Sequence, residues 1–149
     1  MKITKEWLHE QSACISGMKW FLEQKETDAV KVIEKLISEE KLQWANWTIC
    51  RVFNYKQRVQ YAVYAAEQVI DIFEKKYPED KRPRKAIEAV KKCIENPSEE
   101  NKRIAAYAAA DAADAAYAAA ADYADYAKKE MKIKILRYGL QLLKEVDNE

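Results

Sequence analysis

Glycine and proline are nearly absent from this chain, two of the first and three of the second in 149 residues, while apolar side chains recur every three to four positions along most of its length. Tight hairpins draw on glycine, and half-buried strands alternate apolar with polar residues, so a sequence with neither habit has little with which to build a sheet. A 3.6-residue apolar period instead gives each segment one face to bury. The expectation is an all-α fold: a compact single-domain bundle of about seven or eight helices over residues 1–149, closing in an alanine-rich C-terminal helical section. A chain of this length buries roughly 70% of the surface its unfolded form exposes, so no staple is required.

With so few breakers, the strongest punctuation is Tyr77-Pro78-Glu79-Asp80-Lys81-Arg82-Pro83-Arg84-Lys85-Ala86-Ile87-Glu88-Ala89. Pro78 and Pro83 each fix φ and remove a backbone donor, which forces a short turn between two helices and suits Pro83 to the first position of the second. Six cationic side chains lie between Lys75 and Lys85 against Glu79 and Asp80 alone. Tyr77, Arg82, Arg84 and Lys85 are therefore candidate binding residues. Lysine would not substitute for an arginine whose planar fork grips a carboxylate or phosphate. The same forks could equally pair with a carboxylate of the chain, such as Asp80 or Glu88, and fix the turn itself.

The remaining segments read as helices with identifiable starts and stops. Thr4 can cap a first helix containing Trp7 and Leu8, and residues 12–17 break or bend the chain before Met18, Trp20, Phe21 and Leu22. Thr27 can cap a helix whose apolar face is Ala29, Val30, Ile33, Leu36 and Ile37. In the next helix Leu42, Ala45, Ile49, Val52 and Phe53 mark the buried stripe, and Trp44, Trp47 and Arg51 stand at i, i+3 and i+7 beside it. Two tryptophans and an arginine so placed can stack a flat ring and pair an anion, or simply pack against a neighbouring helix. Asn54 is the expected break before a helix with Val59, Ala62, Val63, Ala66, Val69, Ile70 and Phe73 on one face and Gln57 among the polar residues opposite. A shorter helix carries Ala86, Ile87, Val90, Cys93 and Ile94, and Asn96, Pro97 and Glu99 fit cap, first position and capping-box acid of its successor.

A single helix from Glu99 to Val146 would run roughly 70 Å, too long for a domain of this size, so a bend near residues 118–122 is expected. Asp111, Asp114, Asp122 and Asp125 recur with an eleven-residue shift that keeps them on one helical stripe. Paired carboxylates at i, i+3 can hold Mg²⁺ for work on a diphosphate, but a straight helix spreads these four over roughly 20 Å, and no matching glutamate pair is evident elsewhere. A solvated acidic face, or a match for the basic turn, accounts for them without a metal.

Other chemistry finds little purchase. There is no glycine-rich phosphate loop, no glycine-flanked nucleophile and no cysteine and histidine cluster at zinc spacing, so no catalytic residue, metal ligand or cofactor is assigned. His9, the one histidine, is given no role. With 26 basic and 25 acidic residues interspersed, general attraction to nucleic acid or an anionic membrane is not expected. Cys14, Cys50 and Cys93 are odd in number and far apart, which fits reduced thiols and a cytoplasmic location. No signal-like segment and no uncharged run of membrane-spanning length is present.

The central motif, Tyr-Pro-x-Asp-x-Arg-Pro-Arg-x-Ala-Ile-Glu-Ala, resembles that of the immunity-protein-five-like family of bacteria and phages, an all-helical group. Ala13-Cys14 with Gly17 and Trp20-Phe21 is similar to that family's amino-terminal pattern, Trp44 and Trp47 to its second region, and the alanine-rich tail fits as well. The resemblance implies a non-enzymatic protein that neutralises a protein toxin or defence effector by stoichiometric binding. A second reading is a sequestering protein that holds a nucleotide-derived anion in a cleft lined by Trp or Tyr rings and by Arg82, Arg84 or Lys85, aided by the helix start at Pro83. A Mg²⁺-dependent all-α phosphohydrolase using the aspartate stripe is the third. Partner identity and oligomeric state are not written in the sequence, and a homo-oligomer is compatible with all three.

Overall fold

Thr4 opens the first helix as its spacing predicts, its hydroxyl accepting from the Trp7 N–H at 3.1 Å. A computed structural model describes residues 1–101 and 125–146. Their helices are α1 (Lys5–Glu10), α2 (Ile15–Gln24), α3 (Ala29–Ser38), α4 (Leu42–Val52), α5 (Tyr55–Lys76), α6 (Arg82–Glu95) and α7 (Asp125–Val146). Among the described residues extended pairing is limited to one isolated antiparallel bridge, Lys2 with Asp28. The fold is all-α. The expected bend at 118–122 lies outside the described residues, as do Asp111, Asp114 and Asp122.

The chain groups into two compact units, Met1–Asn54 with Leu136–Glu149, and Tyr55–Ile135. In the first unit α3 and α4 pack together, with Ile33 and Ile49 wholly buried at 0% exposure and Val32, Leu36 and Ala45 beside them. Leu136, Leu140 and Leu142 of α7 are also buried, and Lys144 pairs with Glu34 at 2.7 Å. The start of α3 corrects the expected cap. Thr27 is engaged in the bridge, its carbonyl accepting from Ile3 N–H at 2.7 Å, and Asp28 caps instead by accepting from Lys31 N–H at 3.1 Å. Cys14 caps α2: its Sγ accepts from the Gly17 N–H at 3.3 Å, so this thiol is exposed and polar in use rather than an apolar filler.

The first unit also ends its short helices in an uncommon way. Ser12, Lys25 and Glu40 have φ of 58°, 56° and 58°, left-handed values that glycine adopts without strain and other residues do not. After α1, Ala13 N–H bonds to Leu8 O and Ser12 N–H to His9 O; after α3, Lys41 N–H bonds to Leu36 O and Glu40 N–H to Ile37 O. Both are Schellman closures, in which the left-handed residue lets two donors reach back to orphan carbonyls.

In the second unit α5 and α6 form an antiparallel pair about a small core of Val63, Ile70 and Ile87, with Ala66, Val90 and Ile94 packed against it. Asn54 does fall in the break, with Phe53 and Asn54 outside helix. The first turns of α5 are rotated from expectation: Gln57 and Tyr61 are buried while Ala62 is exposed, because two long side chains fill space that an alanine cannot. Cys93 is buried as expected, its Sγ 3.7 Å from the Tyr55 hydroxyl. Pro83 occupies the second helical position of α6, after Arg82, and is buried. At the far end of α6 the expected cap moves two residues on. Asn96 closes α6 in extended conformation, and Ser98 Oγ accepts from Asn101 N–H at 3.2 Å where helix resumes at residues 99–101.

Candidate functional site

The proline-marked turn is built by α5 ending and α6 starting within five residues. Tyr77 N–H closes α5 onto Phe73 O at 2.8 Å, and Asp80 N–H bonds to Tyr77 O at 3.1 Å to reverse the chain. The missing donor of Pro78 and the fixed φ of Pro83 suit these positions. No side chain caps α6 at Lys81; Asp80 accepts from the Arg82 N–H at 3.0 Å just inside the helix.

Both arginines of the motif grip carboxylates of the same unit. Arg82 reaches back two residues, Nε to Asp80 Oδ1 at 2.9 Å and Nη2 to Oδ2 at 2.6 Å. Arg84 reaches across to the last turns of α5, Nε to Glu74 Oε1 and Nη2 to Oε2, both at 2.7 Å, with Asp71 a further 3.7 Å contact. These are two-pronged, charge-assisted contacts, and the second one ties α5 to α6. The Arg82 guanidinium, helped by the Arg82 backbone N–H, pulls Asp80 down to about 2, and the Arg84 fork lowers Glu74 and raises Arg84 in turn. The alternative that each arginine braces its own turn therefore has its geometry for both, with Glu74 rather than Glu88 as the partner of Arg84. Glu74 was hard to foresee: it lies ten residues upstream, across two prolines. Its position on the polar face of α5, one turn before the break, was the available clue.

Around these forks the outward side of the turn carries Lys75, Lys76, Lys81 and Lys85, all exposed, and Tyr77, which is 42% exposed. Tyr77 is held in place, its ring 5.0 Å from that of Phe73 and 5.7 Å from Lys76 Nζ.

Trp44, Trp47 and Arg51 belong to the first unit, and the structure gathers them as their spacing predicts. The Arg51 guanidinium lies over the Trp47 ring at 4.0 Å, and Trp7 meets the same ring edge-on at 6.2 Å. Trp20, which spacing along the chain could not place, sits 6.3 Å from Trp44 and donates its indole N–H to Glu39 at 2.8 Å. Three of the rings, Trp20, Trp44 and Trp47, line a pocket of about 480 Å³ built wholly from first-unit residues. Arg82, Arg84, Lys85 and Tyr77 belong to the second unit.

Among the described residues no group of three or more histidine, cysteine or acidic side chains is placed to hold a metal ion. His9 is exposed. Asp125 opens α7, but its three companions on the proposed stripe lie outside the described residues. No described helix is long and apolar enough to cross a membrane.

Comparison with known proteins divides the chain near the same place as its packing. Residues 1–56 match the model of the YdhT N-terminal domain, to which this stretch is similar. No match was found among curated proteins or among solved structures. Residues 52–131, more than half of the chain and including the whole of the Tyr77–Ala89 motif with its two arginine forks, match the model described as "Imm-5 like putative immunity protein", and the chain belongs to that family.

Proposed function

We propose that this chain is a non-enzymatic immunity protein that neutralises a toxin or defence effector in the cytoplasm by binding it one to one, with the outward side of the α5–α6 turn as the contact. The observation that carries the reading is the placement of that turn: it lies inside the matched family stretch, and its two arginines are spent on holding it rigid. The turn carries the exposed cations Lys75, Lys81 and Lys85 in the same short stretch as Tyr77, and a braced backbone lowers the ordering cost of binding to that of the side chains themselves. A partner with an acidic patch would be steered to it and oriented by it.

The test is co-expression with a panel of bacterial protein toxins and defence effectors, with cell growth and complex stoichiometry by light scattering as readouts. The expected result is protection and an equimolar complex, both lost in a Lys81→Glu, Lys85→Glu double variant whose melting temperature is unchanged. Protection at amounts far below equimolar would point to turnover and overturn the stoichiometric reading. Full protection by the double variant would remove the turn from it.

A further inference from the structure

The pocket of the first unit is not used by that reading, and its lining has a definite chemistry. At about 480 Å³ it is in the size range of small-ligand sites. Its floor is apolar, with Leu8, Phe21, Val32 and Leu36 all buried. Its walls are the half-buried rings of Trp20, Trp44 and Trp47. Among the seventeen residues that line it, Arg51 is the one that carries charge.

Arg51 differs from the arginines of the α5–α6 turn. Arg82 and Arg84 each hold a carboxylate in a two-pronged contact, whereas among the described residues no carboxylate pairs with Arg51. Its guanidinium carbon lies over the Trp47 ring, 4.0 Å from the centroid, with a long bond of 3.4 Å from Nη1 to the Trp47 carbonyl. A guanidinium stacked on an indole is oriented by it and keeps in-plane N–H donors for an acceptor at its edge. The rings are braced from outside the pocket as well: Trp7 against Trp47, and Glu39 on the Trp20 indole while itself paired to Lys41 at 3.2 Å. Glu39 and Lys41 pair with each other outside the lining, which leaves Arg51 as the charged side chain of the lining itself.

We propose that this pocket is a binding site for a small molecule consisting of a planar aromatic ring system and one anionic group, the ring against the tryptophans and the anion on Arg51. One arginine matches one anionic group; a polyphosphate would require several cations. Gln43 at the lining offers an amide to a ring heteroatom. This site is independent of the protein-binding reading above, since it lies in the other unit and uses none of the residues named there.

The test uses the full chain and two fluorescent probes that differ in the anion, 1-anilinonaphthalene-8-sulfonate and its neutral relative N-phenyl-1-naphthylamine. All four tryptophans lie in residues 7–47, so energy transfer from tryptophan reports probe bound to the protein, and the response to a change at Arg51 assigns it to the pocket. The expected result is saturable binding of the sulfonate at one equivalent. Arg51→Gln should weaken it by about ten-fold or more, the scale of a lost charged hydrogen bond, and shift the neutral probe less than about two-fold. Because both probes are read on the same sample, their ratio remains informative even where the variant is less stable. No saturable binding, an Arg51→Gln variant that keeps the wild-type ratio, or equal loss of both probes would overturn the proposal.

Discussion

The two units are both helical, yet they are held together by different means. The first joins helices of six to eleven residues, each too short to persist alone, to the end of α7, and fixes them with buried apolar side chains, with side-chain caps on α1, α2 and α3, and with the Lys144–Glu34 pair. It leaves a ring-lined cavity. The second pairs a 22-residue helix with a 14-residue one over buried Tyr61, Val63, Ile70, Phe73 and Ile87 and ties the two helices with ion pairs, Arg84 to Glu74 and Lys91 to Glu67. It leaves a rigid, cation-bearing turn. The difference shows how one all-α sequence can offer two kinds of surface: gaps between short helices become pockets, and the joint between long ones becomes a turn with exposed cations.

The largest test of that contrast is truncation of the first unit's core. Ile49→Ala removes a wholly buried side chain at the α3–α4 contact and should cost about 2–5 kcal/mol, read by urea unfolding followed through tryptophan emission. A cost below about 1 kcal/mol would mean that the pocket region collapses around the deletion, and the account of the first unit as a frame held open by large side chains would fail.

That frame was only partly legible in the sequence. The apolar period gave the helices and most of the buried residues, and the i, i+3, i+7 spacing gave Trp44, Trp47 and Arg51 as one surface. Trp20 could not be added, because what brings it to Trp44 is the packing of α2 and not a spacing. Thr27 and Asp28 were equally good caps by chemistry; the pairing of residues 1–3 with 27–29 decided between them. Gln57 and Tyr61 turned inward against the simple stripe because shape outweighed polarity at the start of α5. At the turn, composition marked the arginines and Asp80 was a visible candidate for Arg82, but Glu74, which Arg84 grips, is a neighbour ten residues away that periodicity does not report.

The ion-pair side of the comparison is sharpened by acid. Glu74 and Asp80 are held below their ordinary values of 4.5 and 3.8 by Arg84 and Arg82, so each contributes stability that is present at neutral pH. The contribution fades as pH falls through those ordinary values, and for Asp80 it is gone below about 2. Both groups are half-buried at the surface of the turn, so the effect is modest and partly screened by salt. Melting curves by circular dichroism should fall less steeply between pH 5 and 3 for Glu74→Gln than for the wild type. At pH 7, Arg84→Lys should lower the melting temperature by roughly a few degrees and Arg82→Lys by less, because Asp80 is two residues away and links no second helix. Equal and negligible effects from both would leave the forks with no part in fixing the turn.

The smallest effect has the opposite sign. Among the described residues all the left-handed non-glycine positions, Ser12, Lys25 and Glu40, fall in the first unit, so backbone strain is a property of that unit's short helix ends. A side chain in this conformation costs roughly 1–2 kcal/mol, while glycine gives up about 0.5–1 kcal/mol of extra chain entropy on folding, so exchange for glycine should leave a net gain. Ser12→Gly keeps the backbone bonds that close α1, since they use the N–H groups of residues 12 and 13. It should therefore stabilise the protein by up to about 1 kcal/mol. Gln11→Gly, one residue earlier at a φ of −79°, has no strain to relieve and should destabilise by about 0.5–1 kcal/mol. Lys81→Gly, at the entry to α6 in the second unit with φ of −92°, should likewise gain nothing. Thermal and urea midpoints on the three variants separate the cases: a gain at Ser12 alone locates the strain in the first unit, whereas a loss at Ser12 as large as at Gln11 would show that the hydroxyl, not the backbone, holds that helix end.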